Sequence, residues 1–341
     1  MPLDGRRGLW IARNILALPS KELVSRAGRA LLADGTTNKP TPGRAGEETR
    51  AFSWTSGVFI VVCLCGLVGN MVVVRFLGFH MKKNHFTVYV LNLAIADFCL
   101  LLFILGILTV NILSTVECFN WYEYVMSRSI LVLVFLFWYY TSMYLLTAMS
   151  MERCLSVLFP VWYRCRRPKH LSGIVCGVLW ALIGLVFALM CISCILFRNT
   201  KCEKIDRGFS IVNFLIFCLF PLLSNLSVFI RLRCGSQRRH PGKLYVALLL
   251  SVICMFIFGL PLIILILLRN LVELRYTIYI GYLLASLNSS INPVIYFLVG
   301  SCRKRRFQGS VKVALRRVFL LLFACVDLWG IWWLCGSRFS T

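Results

Sequence analysis

Seven times along this chain, an apolar run of about 20 residues or more is closed off by a short polar or basic segment. Such a run cannot sit on the surface of a water-soluble domain. It is also long enough to carry a helix across the hydrocarbon layer of a bilayer, at a rise of about 1.5 Å per residue. The runs fall near 52–79, 86–113, 126–158, 171–197, 209–232, 244–268 and 276–299. Composition agrees: 59% of the 341 residues are hydrophobic and 15% are charged, too few charges to coat a soluble globule of this size. The fold class expected is an all-α membrane protein, a seven-transmembrane helix bundle followed by a cytoplasmic amphipathic helix.

The formal charge of +24 could indicate a nucleic-acid partner, but the cations lie at the ends of apolar runs, so a lipid bilayer and no nucleic acid is expected. Lys82 and Lys83 follow the first run, and Arg164, Arg166, Arg167 and Lys169 follow the third. Arg233, Arg238, Arg239 and Lys243 follow the fifth, and "CRKRRF" follows the seventh. With seven crossings these segments share one side, while Glu117, Glu123, Glu203 and Glu273 lie on the other. The positive-inside rule then places the C-terminus in the cytoplasm and the N-terminus outside. Many of the sixteen cysteines, among them Cys63, Cys99, Cys176 and Cys254, lie within apolar runs, where cysteine behaves as a small hydrophobe. Residues 1–51 read as an extracellular disordered tail without the apolar core of a signal peptide, and 52–300 as the membrane domain. Over 301–319, Phe307, Val311 and Leu315 recur at helical spacing opposite cations, an interfacial amphipathic helix. Residues 320–341 form an atypical apolar C-terminal tail, short for a span and interrupted by Asp327.

Polar groups inside the runs carry the functional information, because each is costly in hydrocarbon. Asp97 stands in the middle of the second run and needs partners. Asn70, Ser142, Asn288, Ser289 and Asn292 are candidates. Oxygen ligands around one carboxylate could hold a small hard cation; the plainer reading is a hydrogen-bonded knot that packs helices. Pro293 breaks a helical hydrogen bond in "INPVIYF", and Asn292 stands ready to satisfy the backbone it frees. Pro261, two residues after Gly259, kinks the sixth run, which could then act as a lever. Glu152 and Arg153 stand side by side near the basic end of the third run. Interfacial snorkelling explains a terminal arginine, and an adjacent acid points further, to an ion-pair latch.

These residues resemble a known family. Glu152-Arg153-Cys154 is similar to the Asp-Arg-Tyr motif of rhodopsin-like G-protein-coupled receptors, and Asn292-Pro293-Val294-Ile295-Tyr296 to their seventh-helix motif. Gly69-Asn70, Leu93 to Asp97, Trp180 and Pro261 fall where that family's markers fall. "YLLTAMSMERCLSVLFPVWYRCRRPKHLS" and "LNSSINPVIYFLVGS" resemble the Mas-related receptors, nearest the Mas proto-oncogene branch. The resemblance implies a plasma-membrane receptor with two partners, an extracellular peptide or small-molecule ligand such as an amine and a heterotrimeric G protein. It implies that Arg153, Asn292 and Tyr296 rearrange on activation, and that Asp97, Ser142, Asn288 and Asn292 form a sodium pocket. No other cofactor is expected, though a sodium ion could act allosterically. Gly259 stands where most relatives carry a switching tryptophan, so that switch is absent. Asp206 is similar in position to an acid that contacts cationic ligands, against the alternative of a surface ion pair with its basic neighbours. Arg128 stands near the place of the usual disulfide cysteine. Some Mas-related receptors close a different bridge, which Cys194 and Cys202 fit; Cys191 and Cys118 remain alternatives.

Two other functions compete. An ion-coupled transporter or channel could use Asp97 as a relay, although no inverted repeat or paired broken helices appear. A signalling-silent receptor-like protein is allowed by the unusual tails. An enzyme is not expected, since the sequence offers no metal-ligand cluster or nucleophile–base arrangement.

Overall fold

The computed structural model describes residues 42–79, 85–115, 121–168, 170–196, 200–234, 243–268 and 274–301, with side chains described over most of these. Every regular element among them is helical. Helix α1 spans Pro42–Phe79, α2 His85–Thr115 and α3 Trp121–Leu158. The short α4 spans Pro160–Cys165, and α5 and α6 span Leu171–Leu196 and Thr200–Cys234. The sixth crossing is composite: α7, Lys243–Cys254, passes through a π turn at Met255–Gly259 into α8, Leu260–Leu267. Helix α9, Leu274–Ser301, is the seventh crossing.

The ends of these helices follow from proline chemistry and length. Helix α3 stops at Leu158 because Pro160 disfavours helical backbone in the residue before it, and Phe159 adopts φ −122° and ψ 61°. Pro160 then opens α4 from its first turn, where a missing N–H costs nothing. Pro261 cannot donate to the Ile257 carbonyl, and the helix accommodates this by widening just ahead of it into the π turn. The kink expected at Pro261 is thus accompanied by a change of helical pitch. Helix α1 begins at Pro42, within the segment expected as a tail.

Lipid inverts the usual solvent logic. Val61, Val68, Phe76, Leu222 and Leu226 are exposed on the outside of the bundle, while Asn70, Asp97, Ser142, Ser251, Ser289 and Asn292 are buried within it. Among the described residues, six crossings are long and apolar enough to span a bilayer. Helix α9 has a lower apolar content because Ser286, Asn288, Ser289 and Asn292 dilute it, and all four are buried against the other helices. Among the six, α3 is the most buried and α5 the least. Helix α3 is therefore the axis around which the site is built. An aromatic cluster of Phe137, Trp138, Trp180 and Phe187 fixes α5 against α3. Trp180 Nε1 donates to Asn92 Oδ1 at 3.1 Å and ties in α2.

Candidate functional site

Successive turns of α3 place Arg128, Phe135, Tyr139 and Ser142 on one face, at offsets of seven, eleven and fourteen residues. Each contacts or faces a different part of the bundle, so the site is a column rather than a pocket.

At its centre, Asp97 is fully buried on α2. Ser142 Oγ and Ser289 Oγ donate to Asp97 Oδ1 at 2.6 and 2.9 Å, and Asn292 Nδ2 donates to Oδ2 at 2.8 Å. One carboxylate thus joins α2, α3 and α9. Asn288 is buried, but none of the described hydrogen bonds links it to Asp97, and its Oδ1 has no hydrogen-bond partner. Ser289, its neighbour and also a candidate from the sequence, supplies the hydroxyl from α9 that reaches the carboxylate directly.

The role expected of Asn292 also needs correcting. The carbonyl that Pro293 leaves without its helical donor belongs to Ser289, four residues earlier. Asn70 of α1 satisfies it, through Nδ2 at 3.1 Å, and donates to the Gly66 carbonyl at 3.0 Å as well. Asn292 is free to bind Asp97 because Asn70 does the repair. The approach of α1 to α9 requires glycine. A Cβ on Gly66 would lie 2.1 Å from Ser290 Oγ, and one on Gly69 3.2 Å from Pro293 Cβ.

One turn along the column, Tyr139 donates to the Gly259 carbonyl in the π turn at 2.7 Å. A Cβ on Gly259 would lie 2.9 Å from Met143 Sδ, so α3 side chains fill the space beside this glycine. Phe135 packs edge-on against Tyr282 of α9, with centroids 5.1 Å apart.

At the basic end, the geometry overturns the expected Glu152–Arg153 latch. Adjacent residues on a helix project about 100° apart and do not face each other. Glu152 instead forms its ion pair with Arg167, beyond α4. It also accepts from Tyr163 at 2.9 Å and, at 3.5 Å, from Tyr89. Arg167 donates to Ser172 at 2.6 Å and stacks over the Tyr163 ring at 4.8 Å. Burial first, then the hydrogen bond and negative charge of Glu152, hold the Tyr163 hydroxyl above its ordinary pKa, so it remains a donor. Arg153 lies over the Phe86 ring at 5.5 Å, and its Nη2 is buried without a hydrogen-bond partner. Phe86 packs edge-on against Tyr296 at 6.5 Å. One ring therefore separates the two side chains expected to move on activation.

The remaining expected residues are less informative. Pro261 opens α8 and Gly259 closes the π turn. Asp206, Cys194 and Cys202 fall in α6, α5 and α6, with side chains outside the described residues. Cys191 is a free thiol. Cys118 and residues 302–341 also lie outside.

Seven crossings around a buried carboxylate, with an arginine held at the basic end, describe a seven-helix receptor. The pattern of the 7 transmembrane receptor (rhodopsin family) matches residues 69–296. Proto-oncogene Mas of Mus musculus is 38% identical over 275 residues, 77% of this chain and 82% of the relative. Mas-related G-protein coupled receptor member D of Rattus norvegicus is 42% identical over 299 residues, 84% of this chain and 91% of the relative. Member X1 of Homo sapiens is 40% identical over 291 residues, 81% and 87% of the two chains. The chain belongs to the rhodopsin family of G-protein-coupled receptors, among its Mas-related members, and is a multi-pass membrane protein.

Proposed function

We propose that this receptor sits in the plasma membrane with its N-terminus outside, receives an extracellular peptide or small amine, and activates a heterotrimeric G protein at its basic face. The reading rests on Arg153. Its guanidinium is lodged against Phe86 rather than paired with Glu152, so a small movement of α9 through Tyr296 and Phe86 would free it for the G protein. Glu152 and Arg167 hold the loop around α4 in the resting arrangement, and Tyr139 holds the π turn against α3.

Asp206 is the proposed contact for a cationic ligand group, and Cys194–Cys202 the proposed disulfide. A sodium ion is proposed at Asp97. The donor set is all oxygen, the chemistry a small hard cation requires: the carboxylate, the Ser142 and Ser289 hydroxyls, and the Asn288 and Asn292 Oδ1 atoms, which lack hydrogen-bond partners. Sodium would supply positive charge that favours the ionised carboxylate. The residues themselves hold α2, α3 and α9 together.

The test is Arg153→Ala in cells, with surface labelling and G-protein activation measured together under a panel of cationic peptides and amines. Loss of activation at unchanged surface level supports the reading. Unchanged activation removes Arg153 from it.

A further inference from the structure

The exposed apolar surface of the third crossing does not stop where the crossing ends. Met151 and Leu155 are exposed on the last turns of α3, and the Phe159 N–H donates to the Leu155 carbonyl at 3.0 Å, which puts Phe159 one turn further on. The Tyr163 N–H then donates to the Phe159 carbonyl at 2.9 Å, so the helical path continues through the bend into α4. Phe159 is 56% exposed and Val161 75%, and Trp162 is exposed beside them. Such a cluster is costly in water.

At about 100° per residue, Val161, Trp162 and Cys165 share one face of α4, and Tyr163 lies on the opposite side. That opposite side is pinned: Tyr163 donates to Glu152, and Arg167 binds both Glu152 of α3 and Ser172 of α5. Shortly after Ser172, Ile174 and Val178 are exposed on α5. The apolar face of α4 thus continues the lipid-exposed surface from the third crossing to the fourth. Cations accompany it, because Arg164 and Arg166 flank Cys165 in the chain and Arg166 is exposed. Aromatic rings with arginines beside them suit the headgroup level, and the cytoplasmic leaflet is anionic. We propose that α4 lies on the cytoplasmic leaflet as an interfacial segment. Phe159, Val161 and Trp162 enter the boundary between headgroups and acyl chains, and Arg166 meets the anionic headgroup of a lipid. The choice of leaflet rests on the orientation proposed above, but the contact needs no G protein. Lipid charge then bears on the Glu152–Arg167 pair, since the same segment carries both contacts.

The test uses the full chain in nanodiscs without G protein, one set of phosphatidylcholine alone and one with phosphatidylserine at about 30%. Backbone amide exchange over 159–167 should be slower in the anionic discs by about fivefold, the effect of one cation at such a surface. Arg166→Glu should remove that difference. Val161→Ser combined with Trp162→Ser should speed exchange in both discs, with exchange in α2 and α5 unchanged as the check on folding. p-Benzoylphenylalanine in place of Trp162 should photocross-link to lipid. Equal wild-type exchange in the two discs, or an undiminished difference in Arg166→Glu, would overturn the proposal. So would a probe at 162 that captures no lipid and captures only the G protein once that is added. A chain that passes this test while Arg153→Ala still signals would refute the coupling role and leave the lipid contact standing.

Discussion

Tyr139 of α3 donates its hydroxyl proton to the Gly259 carbonyl at 2.7 Å, so the central helix grips the backbone of the sixth crossing where related receptors carry a switching side chain. The grip is a hydrogen bond to a main-chain atom, and no rotamer change at position 259 can release it. Movement of the sixth crossing must break or carry this bond.

Tyr139→Phe should therefore loosen α3 from the π turn. As the N-cap of α8, the Gly259 carbonyl keeps its helical donor, so the loss is that of one hydrogen bond, about 0.5–1.5 kcal/mol. Thermal melting should show that loss, and basal G-protein activation should rise because the resting arrangement loses a restraint. A variant with wild-type melting and wild-type basal activity would show that the bond restrains nothing.

Glu152→Gln should weaken the ion pair with Arg167 while keeping the shape of the side chain. Hydrogen bonds to charged groups contribute about 1.5–3 kcal/mol, enough to shift a two-state equilibrium by about tenfold or more. Basal signalling should increase. Arg167→Ala should do the same, and the double variant should add little, because both single changes break one interaction. Full additivity in that cycle would show that the two residues act separately.

Asp97→Asn keeps the size of the side chain and removes the anion. Replacing choline by sodium should stabilise the wild-type receptor and leave the variant's melting temperature unchanged. Equal sodium responses in both would place the ion elsewhere.

Gly66→Val should prevent the close approach of α1 to α9, since even the first added carbon would overlap Ser290 and Leu101. Surface expression should fall severely. Gly57→Val is the control on the same helix, as a Cβ there meets nothing within 4 Å. Similar expression of the two variants would mean that the α1–α9 contact contributes little.

The crossings were legible because the bilayer demands long apolar runs, and the pattern shows without any knowledge of partners. Asp97 was legible for the complementary reason, since an acid in an apolar run has to be satisfied from other helices. Pairings were harder. Arg167 was visible only as part of a basic burst, because the turn at Phe159 and Pro160 brings it back to Glu152 across fifteen residues. Asn70 could have been matched to the Ser289 carbonyl by counting four residues back from Pro293, but which helix supplies the amide is a matter of packing. Phe86 and Tyr139 carried no signal beyond being aromatic in an aromatic-rich chain. Their roles depend on what the tertiary structure sets against them.

The π turn has one more consequence, for angular phase. It inserts an extra residue into the sixth crossing, so everything from Leu260 onward is turned by about 100° from where an uninterrupted α-helix would point it. Deleting any one residue between Met255 and Phe258 would remove that offset. Leu260, Leu262 and Ile263, now buried, would swing toward the lipid, and residues now bathed in lipid would turn inward. The half of the crossing after the turn is thus geared to the half before it by a single residue, and the length of this segment matters as much as its chemistry.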